Sequence, residues 1–106
     1  MIKHIVLVRF KKEISIEQIR TIFDKIGALE SILPAMKSFD YGKYNGAAER
    51  HKGFDYAFYM EFDTAQERDE YLVHPEHVKV GTELRSMLDT EGSDAFLAFD
   101  YDTDLL

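Results

Sequence analysis

Two segments of the sequence alternate in hydropathy with the two-residue period of a β-strand. Segment 54–62 (FDYAFYMEF) is the clearer one, because apolar or aromatic side chains stand at every second position. Segment 2–10 (IKHIVLVRF) also alternates, and its second face is itself half apolar. Such a strand is predicted to lie at the centre of a sheet with both faces covered. Further strands are predicted over 36–45 (MKSFDYGKYN) and 95–101 (AFLAFDY).

A helix is predicted between the first two strands. Ser15 and Gln18 fit a capping box at its start, Ile14 and Ile19 fit a hydrophobic staple, and Pro34 marks the exit. Apolar residues recur along it at helical spacing. They are Ile16, Ile19, Ile22, Phe23, Ile26 and Leu29.

The second helical segment is predicted in two pieces. Thr64 and Glu67 fit a capping box that opens a short helix through about Val73. Pro75 cannot continue that helix, but it suits the first turn of a new one. The new helix is expected to run through Val78, Gly81, Leu84 and Leu88, and a turn is expected over 89–94 (DTEGSD).

The order β-α-β-β-α-β predicts an α+β fold of the ferredoxin-like type, with an antiparallel sheet and both helices on one face. We expect one domain over residues 1–106. The second sheet face is also apolar, so a second copy of the chain is expected to cover it as a homodimer. The alternative is that these residues are scattered over an ordinary surface. They are Ile5, Leu7, Ala57, Tyr59, Leu97 and Phe99.

The composition excludes several kinds of function. The chain has no cysteine, which removes disulfides, thiolate catalysis and cysteine metal sites. Its net charge of −7 would repel phosphate backbones, so no nucleic-acid partner is expected. No apolar run approaches the ~20 residues that span a bilayer, so no membrane partner is expected. We expect a cytoplasmic protein.

Segment 71–77 (YLVHPEH) is the strongest candidate for chemistry. On a continuous helix Tyr71 and His77 would lie about 120° apart, but the break at Pro75 allows both to face one pocket. A neutral His77 near a helix N-terminus could act as a base, and a tyrosine hydroxyl could donate to an enolate oxygen. Alternatively, His74 caps the new helix and His77 packs beneath the turn.

Other histidine sites are open to simpler explanations. A metal site from Glu70, His74 and His77 is disfavoured, because Pro75 spoils its helical register. His4 shares a strand face with valines, so it is either a core histidine with one hydrogen bond or a pocket group. His51 lies in the polar loop 45–53 and is predicted to be solvated.

Four segments, KHIVLVRFK, LPAMKS with YGK behind it, YLVHPEHVKVG and FDY, resemble the stress-responsive dimeric α/β-barrel (Dabb) family over essentially the whole chain. The resemblance implies ferredoxin-like protomers whose sheets pair into a barrel in a homodimer. It maps a catalytic base onto His77, its hydroxyl partner onto Tyr71 and a substrate-orienting histidine onto His4. The implied substrate-binding wall comprises Val6, Val8, Ile22, Phe23, Ile26, Phe58, Met60, Val80, Gly81, Phe96 and Ala98.

The resemblance implies no cofactor and no metal. One implied function is an enzyme with acid–base chemistry of the aldol cyclase or lyase type, acting on a hydrophobic ketone or polyketide-like molecule. The other is a non-catalytic homodimer that binds small molecules or confers stress tolerance. The chain departs from a cyclase of this family at Tyr56, where that enzyme has a third-strand histidine, and in the longer stretch 89–94.

Overall fold

A computed structural model describes residues 1–89 and 94–106 of the chain. Within them the structure has four β-strands and three α-helices, with a 3₁₀ turn at Ala28–Ser31 after the first helix. Part of the turn predicted over 89–94, residues 90–93, lies outside the described residues. The elements are β1 (Ile2–Val8), α1 (Ile16–Gly27), β2 (Lys37–Lys43), β3 (Tyr56–Phe62), α2 (Ala65–Val73), α3 (Pro75–Ser86) and β4 (Phe96–Asp102).

The four strands form one antiparallel sheet in the order β2-β3-β1-β4. The central place of β1 confirms the prediction from its two apolar faces. Val6 in β1 pairs with Phe58 in β3 and with Ala98 in β4. In the same way, His4 lies between Met60 and Asp100. This is the predicted ferredoxin-like α+β fold, and the register decides which side chains meet beneath the helices.

The core lies between one sheet face and the helices. Even-numbered residues of β1 are buried and odd-numbered ones are only half-buried, as the alternation predicts. The apolar stripe of α1 packs onto this face through Ile19, Ile22, Phe23 and Ile26. Ile16 is the exception in the predicted stripe. It begins the helix and is 57% exposed.

The helix starts follow local hydrogen bonds. At Ser15 both bonds of the predicted capping box are present. At Thr64 only the side-chain bond to the Glu67 N–H is present, because the Glu67 carboxylate accepts from the Thr64 hydroxyl instead. The helix after Pro75 begins as predicted but ends at Ser86. Leu88 lies beyond that end and forms an isolated bridge to Phe10.

The second sheet face is open in a single chain. Leu97, Phe99 and Tyr101 on β4 are 45%, 60% and 45% exposed. Ile5 and Tyr59, which pair across β1 and β3, are half-buried on the same face. The sheet therefore presents a continuous apolar surface opposite its helices. No helix in the described part of the chain combines the length and apolar character needed to cross a bilayer.

Candidate active site

A cavity of about 460 Å³ lies between the sheet and the helices. Its floor is the helix-facing side of β1, β3 and β4, and its roof is formed mainly by α2 and α3, with one residue from α1. Most of the lining is apolar, with a few ionisable groups. The lining residues are His4, Val6, Ile26, Phe58, Tyr71, Leu72, His77, Val80, Gly81, Leu84, Arg85, Phe96, Ala98 and Asp100.

One face of α3 forms the longest wall of the cavity. Its lining residues recur at intervals of three and four, which is the spacing of one helix face. Gly81 stands in the middle of this face, and a Cβ atom added there would meet nothing within 4 Å. The wall is therefore recessed at Gly81. The five residues of the face are His77, Val80, Gly81, Leu84 and Arg85.

The helix break at Pro75 creates the contact between the two candidate catalytic residues. Pro75 is the first residue of α3, and His74 is its N-cap, with Nδ1 accepting the Glu76 N–H at 3.1 Å. The cap proposed for His74 is thus confirmed. The chain turns between α2 and α3, and the rings of Tyr71 and His77 lie 4.2 Å apart. A continuous helix would have separated them.

The hydrogen bond of His77 leaves it one ring nitrogen that could accept a proton. Its Nδ1 lies 3.0 Å from the Leu72 carbonyl oxygen, which can only accept, so Nδ1 carries the proton and donates it. In the neutral ring, Nε2 then holds the free lone pair. Burial lowers the pKa of His77 below its usual 6.5, against the Leu72 bond, which raises it. The neutral form is therefore dominant at pH 7.

Tyr71 offers a hydroxyl donor in the same cavity. The residue is 2% exposed and packs on Phe62 at 5.2 Å between ring centres. None of the hydrogen bonds among residues 1–89 and 94–106 involves its hydroxyl. Burial raises the pKa of Tyr71 above its usual 10, so the phenol keeps its proton at pH 7. A ligand in the cavity could therefore accept this hydrogen bond.

His4 is the third polar group and is 5% exposed. Its Nδ1 lies 2.6 Å from one oxygen of Asp100, and the other oxygen accepts from Arg68 Nη1 at 2.8 Å. Its ring stands 6.1 Å from that of Tyr71. Asp100 and Arg68 thus hold the ring in place. A signal for Asp100 exists in the sequence, because it follows Phe96 and Ala98 at two-residue spacing on the same strand face.

The structure brings most of the predicted site residues together. His4, Tyr71 and His77 all line the cavity, with seven of the predicted wall residues, namely Val6, Ile26, Phe58, Val80, Gly81, Phe96 and Ala98. Four others do not line it and belong to the close-packed core instead. They are Val8, Ile22, Phe23 and Met60. The sequence interpretation missed Leu72, Leu84, Arg85 and Asp100.

Two further residues lie away from the cavity. Tyr56, the position of the departure from the family pattern, does not line the cavity and packs on Phe10 and Phe23, with ring centres 5.5 and 6.3 Å away. The predicted solvation of His51 is wrong. Its ring stacks on Tyr44 at 4.0 Å and its side chain is only 20% exposed, because the loop folds back on itself.

Among the described residues, no group of three or more potential ligands is arranged to hold a metal ion. In the segment considered for metal binding, the Nδ1 atoms of His74 and His77 instead bond to backbone groups.

Comparison with known proteins finds one matching family model and similar plant proteins. A model of the stress-responsive A/B barrel domain matches residues 2–103. Olivetolic acid cyclase of Cannabis sativa is 30% identical over 100 residues, which is 94% of each chain. The stress-response A/B barrel domain-containing protein HS1 of Arabidopsis thaliana is 31% identical over 88 residues, covering 83% of this chain and 81% of HS1.

Solved structures share the fold. A dimeric ferredoxin-like protein of unknown function from Jannaschia sp. CCS1 superposes with a TM-score of 0.84 at 24% identity, over 96% of this chain and 98% of that chain. The hydroxynitrile lyase of Passiflora edulis gives a TM-score of 0.84 at 24% identity, over 99% and 95%. At this identity the similarity is one of fold.

Proposed function

The chain belongs to the stress-responsive A/B barrel domain family, and on this basis we propose that it is a cofactor-independent enzyme acting on a hydrophobic ketone or polyketide-like molecule. The proposed chemistry is of the aldol cyclase or lyase type. Within the family, a relative of 30% identity is named for a cyclase activity. The observation that carries the proposal is the contact between Tyr71 and His77 inside a mostly apolar cavity.

The proposed reaction begins with proton transfer from carbon. Nε2 of His77 removes a proton from the carbon next to a carbonyl, and the electrons of the C–H bond form an enolate. The Tyr71 hydroxyl donates a hydrogen bond to the enolate oxygen, where negative charge develops. Burial keeps the base neutral and the phenol protonated, so both groups are in the required state at pH 7.

Cyclisation would complete the cycle without another reactant. The enolate carbon attacks a second carbonyl of the same molecule, a carbon–carbon bond forms, and the second oxygen becomes an alkoxide. That alkoxide takes back the proton that His77 holds. The reverse sequence cleaves the same bond, which is the lyase direction. His4, held by Asp100, would orient the substrate through its remaining ring nitrogen.

We also propose that the functional unit is a homodimer formed through the sheet face opposite the helices. Support comes from the exposed apolar side chains of β4 and from the dimeric description of a protein with this fold. The cavity lies on the helix side of the sheet, so dimerisation would leave it open to ligands. The cytoplasmic location stays a prediction.

The second candidate function is a non-catalytic dimer that binds hydrophobic molecules or confers stress tolerance. One observation favours it: His74 of the HPEH segment is already used as a helix cap, so the motif has a structural reason to exist. A relative of 31% identity is also named for stress response. This candidate predicts that ligands bind in the cavity without chemical change.

A screen with aromatic ketones and β-polyketones separates the two functions. Thermal-shift measurements would report binding, and product analysis would report turnover. We expect both in the wild type, with turnover lowered about 10²–10⁴-fold in His77→Ala. His74→Asn is the matched control, since asparagine also caps helices. Binding without turnover across the panel would favour the non-catalytic function.

A further inference from the structure

One charged side chain of the cavity has no ion-pair partner among the described residues. Asp100 is the cavity's one carboxylate among the described residues, and it is held by Arg68 at 2.8 Å as well as by His4. Arg68 in turn bonds Asp69 at 2.9 Å, so its guanidinium is occupied. The other charged side chain of the cavity is the Arg85 guanidinium. No carboxylate in residues 1–89 and 94–106 forms an ion pair with it.

The position of Arg85 suits a ligand at the cavity entrance. The residue is exposed in the last turn of α3, and its guanidinium carbon lies 4.1 Å from the centre of the Phe96 ring. Both side chains line the cavity. Contact with an aromatic face holds a guanidinium in place. Its N–H groups, which lie in the plane of the guanidinium itself, stay free to donate hydrogen bonds. The group is thus held in place without a charged partner in the described part of the chain.

From this placement we propose that Arg85 binds an anionic group of the substrate, and that the substrate is therefore a hydrophobic carbonyl compound carrying a carboxylate. The planar guanidinium can bind a carboxylate through two parallel hydrogen bonds. This inference rests on the proposed function, because it assigns a substrate class to the same cavity. It adds a binding group that neither periodicity nor family resemblance had indicated.

The geometry of α3 separates the binding group from the reacting group. His77 and Arg85 lie on one helix face, eight residues and therefore about 12 Å apart along the axis. Between them the wall is recessed at Gly81 and otherwise apolar. A carboxylate bound at one end would place the carbonyl near His77 and Tyr71 at the other. The substrate thus has its charge and its reacting carbon at opposite ends of an apolar chain.

A matched pair of ligands tests the proposal. Octanoate and octanamide share shape and chain length but differ in charge, and calorimetry at pH 7 would give Kd for each. We expect the wild type to bind octanoate more tightly. Arg85→Gln should weaken octanoate binding roughly tenfold to hundredfold, since it removes charge-assisted hydrogen bonds, and leave octanamide within about twofold.

Two variants serve as controls. Lys79→Gln removes the same charge from an exposed position of the same helix that does not line the cavity, and it should leave both constants unchanged. Gly81→Leu fills the recess and should weaken both ligands, which locates them in the cavity. Thermal unfolding would check that each variant is folded.

Three results would overturn the proposal. The first is equal affinity of the wild type for octanoate and octanamide. The second is an equal loss of affinity for the two ligands in Arg85→Gln, and the third is an affinity for octanoate that Gly81→Leu does not change. Failure of the proposed function gives a different pattern, in which octanoate binding depends on Arg85 but no carbonyl compound is turned over.

Discussion

At the scale of single residues, three histidines differ in the group that their Nδ1 atom contacts, and this difference determines what each ring can do. His4 faces a carboxylate, His74 accepts a backbone N–H as a helix cap, and His77 donates to a backbone carbonyl. In the neutral rings, His74 must therefore hold its proton on Nε2 and His77 on Nδ1. His77 is left with a lone pair on Nε2, as a general base requires.

The pH dependence of turnover should follow the lowered pKa of His77. Because burial disfavours the charged ring, we expect kcat/KM to rise with pH to a plateau, with a midpoint below 6.5. NMR titration of the ring would assign the midpoint. The contribution of His77 to the free energy of unfolding is complete above the pKa of the unfolded chain, about 6.5. It is lost as the pH falls through the lower pKa of the folded protein. A ring that titrates at or above 6.5 would contradict the account.

Tyr71→Phe tests the hydroxyl donor. The ring keeps its packing on Phe62 and His77, and the removed hydroxyl has no protein partner in the described part of the chain. We expect ligand affinity and thermal stability close to those of the wild type. Turnover should fall about 10²–10³-fold, as when a donor to a developing oxyanion is lost. Unchanged turnover would remove Tyr71 from the mechanism.

At the scale of elements, Gly81 gives α3 its recessed cavity wall at a cost in helix stability. Glycine costs up to about 1 kcal/mol in a helix interior relative to alanine, so Gly81→Ala should raise the free energy of unfolding by that order. The added methyl group meets open space. Gly27→Ala is the contrasting variant, since its Cβ would approach a Phe39 ring carbon to 2.8 Å. Urea titration should show opposite signs for the two variants.

The elements were predictable because their signals are local. Both faces of β1 were apolar, Ser15 fitted a capping box and Pro75 marked a helix start, and each prediction is confirmed. The division between cavity and core was less predictable. Met60 and Phe58 share one strand face, yet only Phe58 lines the cavity, because the helix packing above them decides which side chain is covered.

Charged and loop residues were harder still to predict. Arg85 lies at an exposed helix position, and its proposed role depends on contact with the Phe96 ring of a distant strand. Periodicity along one helix carries no information about that contact. His51 looked solvated because its neighbours are charged, but the fold of its loop stacks it on Tyr44. Such contacts arise from tertiary structure, which a single sequence does not encode locally.

At the scale of the whole molecule, the open sheet face predicts association. Sedimentation at micromolar concentration should give about twice the chain mass of 12.3 kDa. Phe99→Asp places a charge on that face and should shift the protein towards monomer. The matched control is Ile16→Asp, because Ile16 is similarly exposed, at 57% against 60%, but lies at the start of a helix. A wild type that stays monomeric, or equal effects of both variants, would contradict the dimer.

The central claim is that His77 removes a proton from carbon in a ligand held by the cavity. The most direct measurement is deuterium incorporation next to the carbonyl of aromatic ketones in D₂O near neutral pH, followed by NMR. The account predicts exchange above the buffer rate with the wild type and a loss of about 10²–10⁴-fold in His77→Ala. Exchange at the buffer rate across the panel, or equal rates for folded wild type and variant, would contradict it.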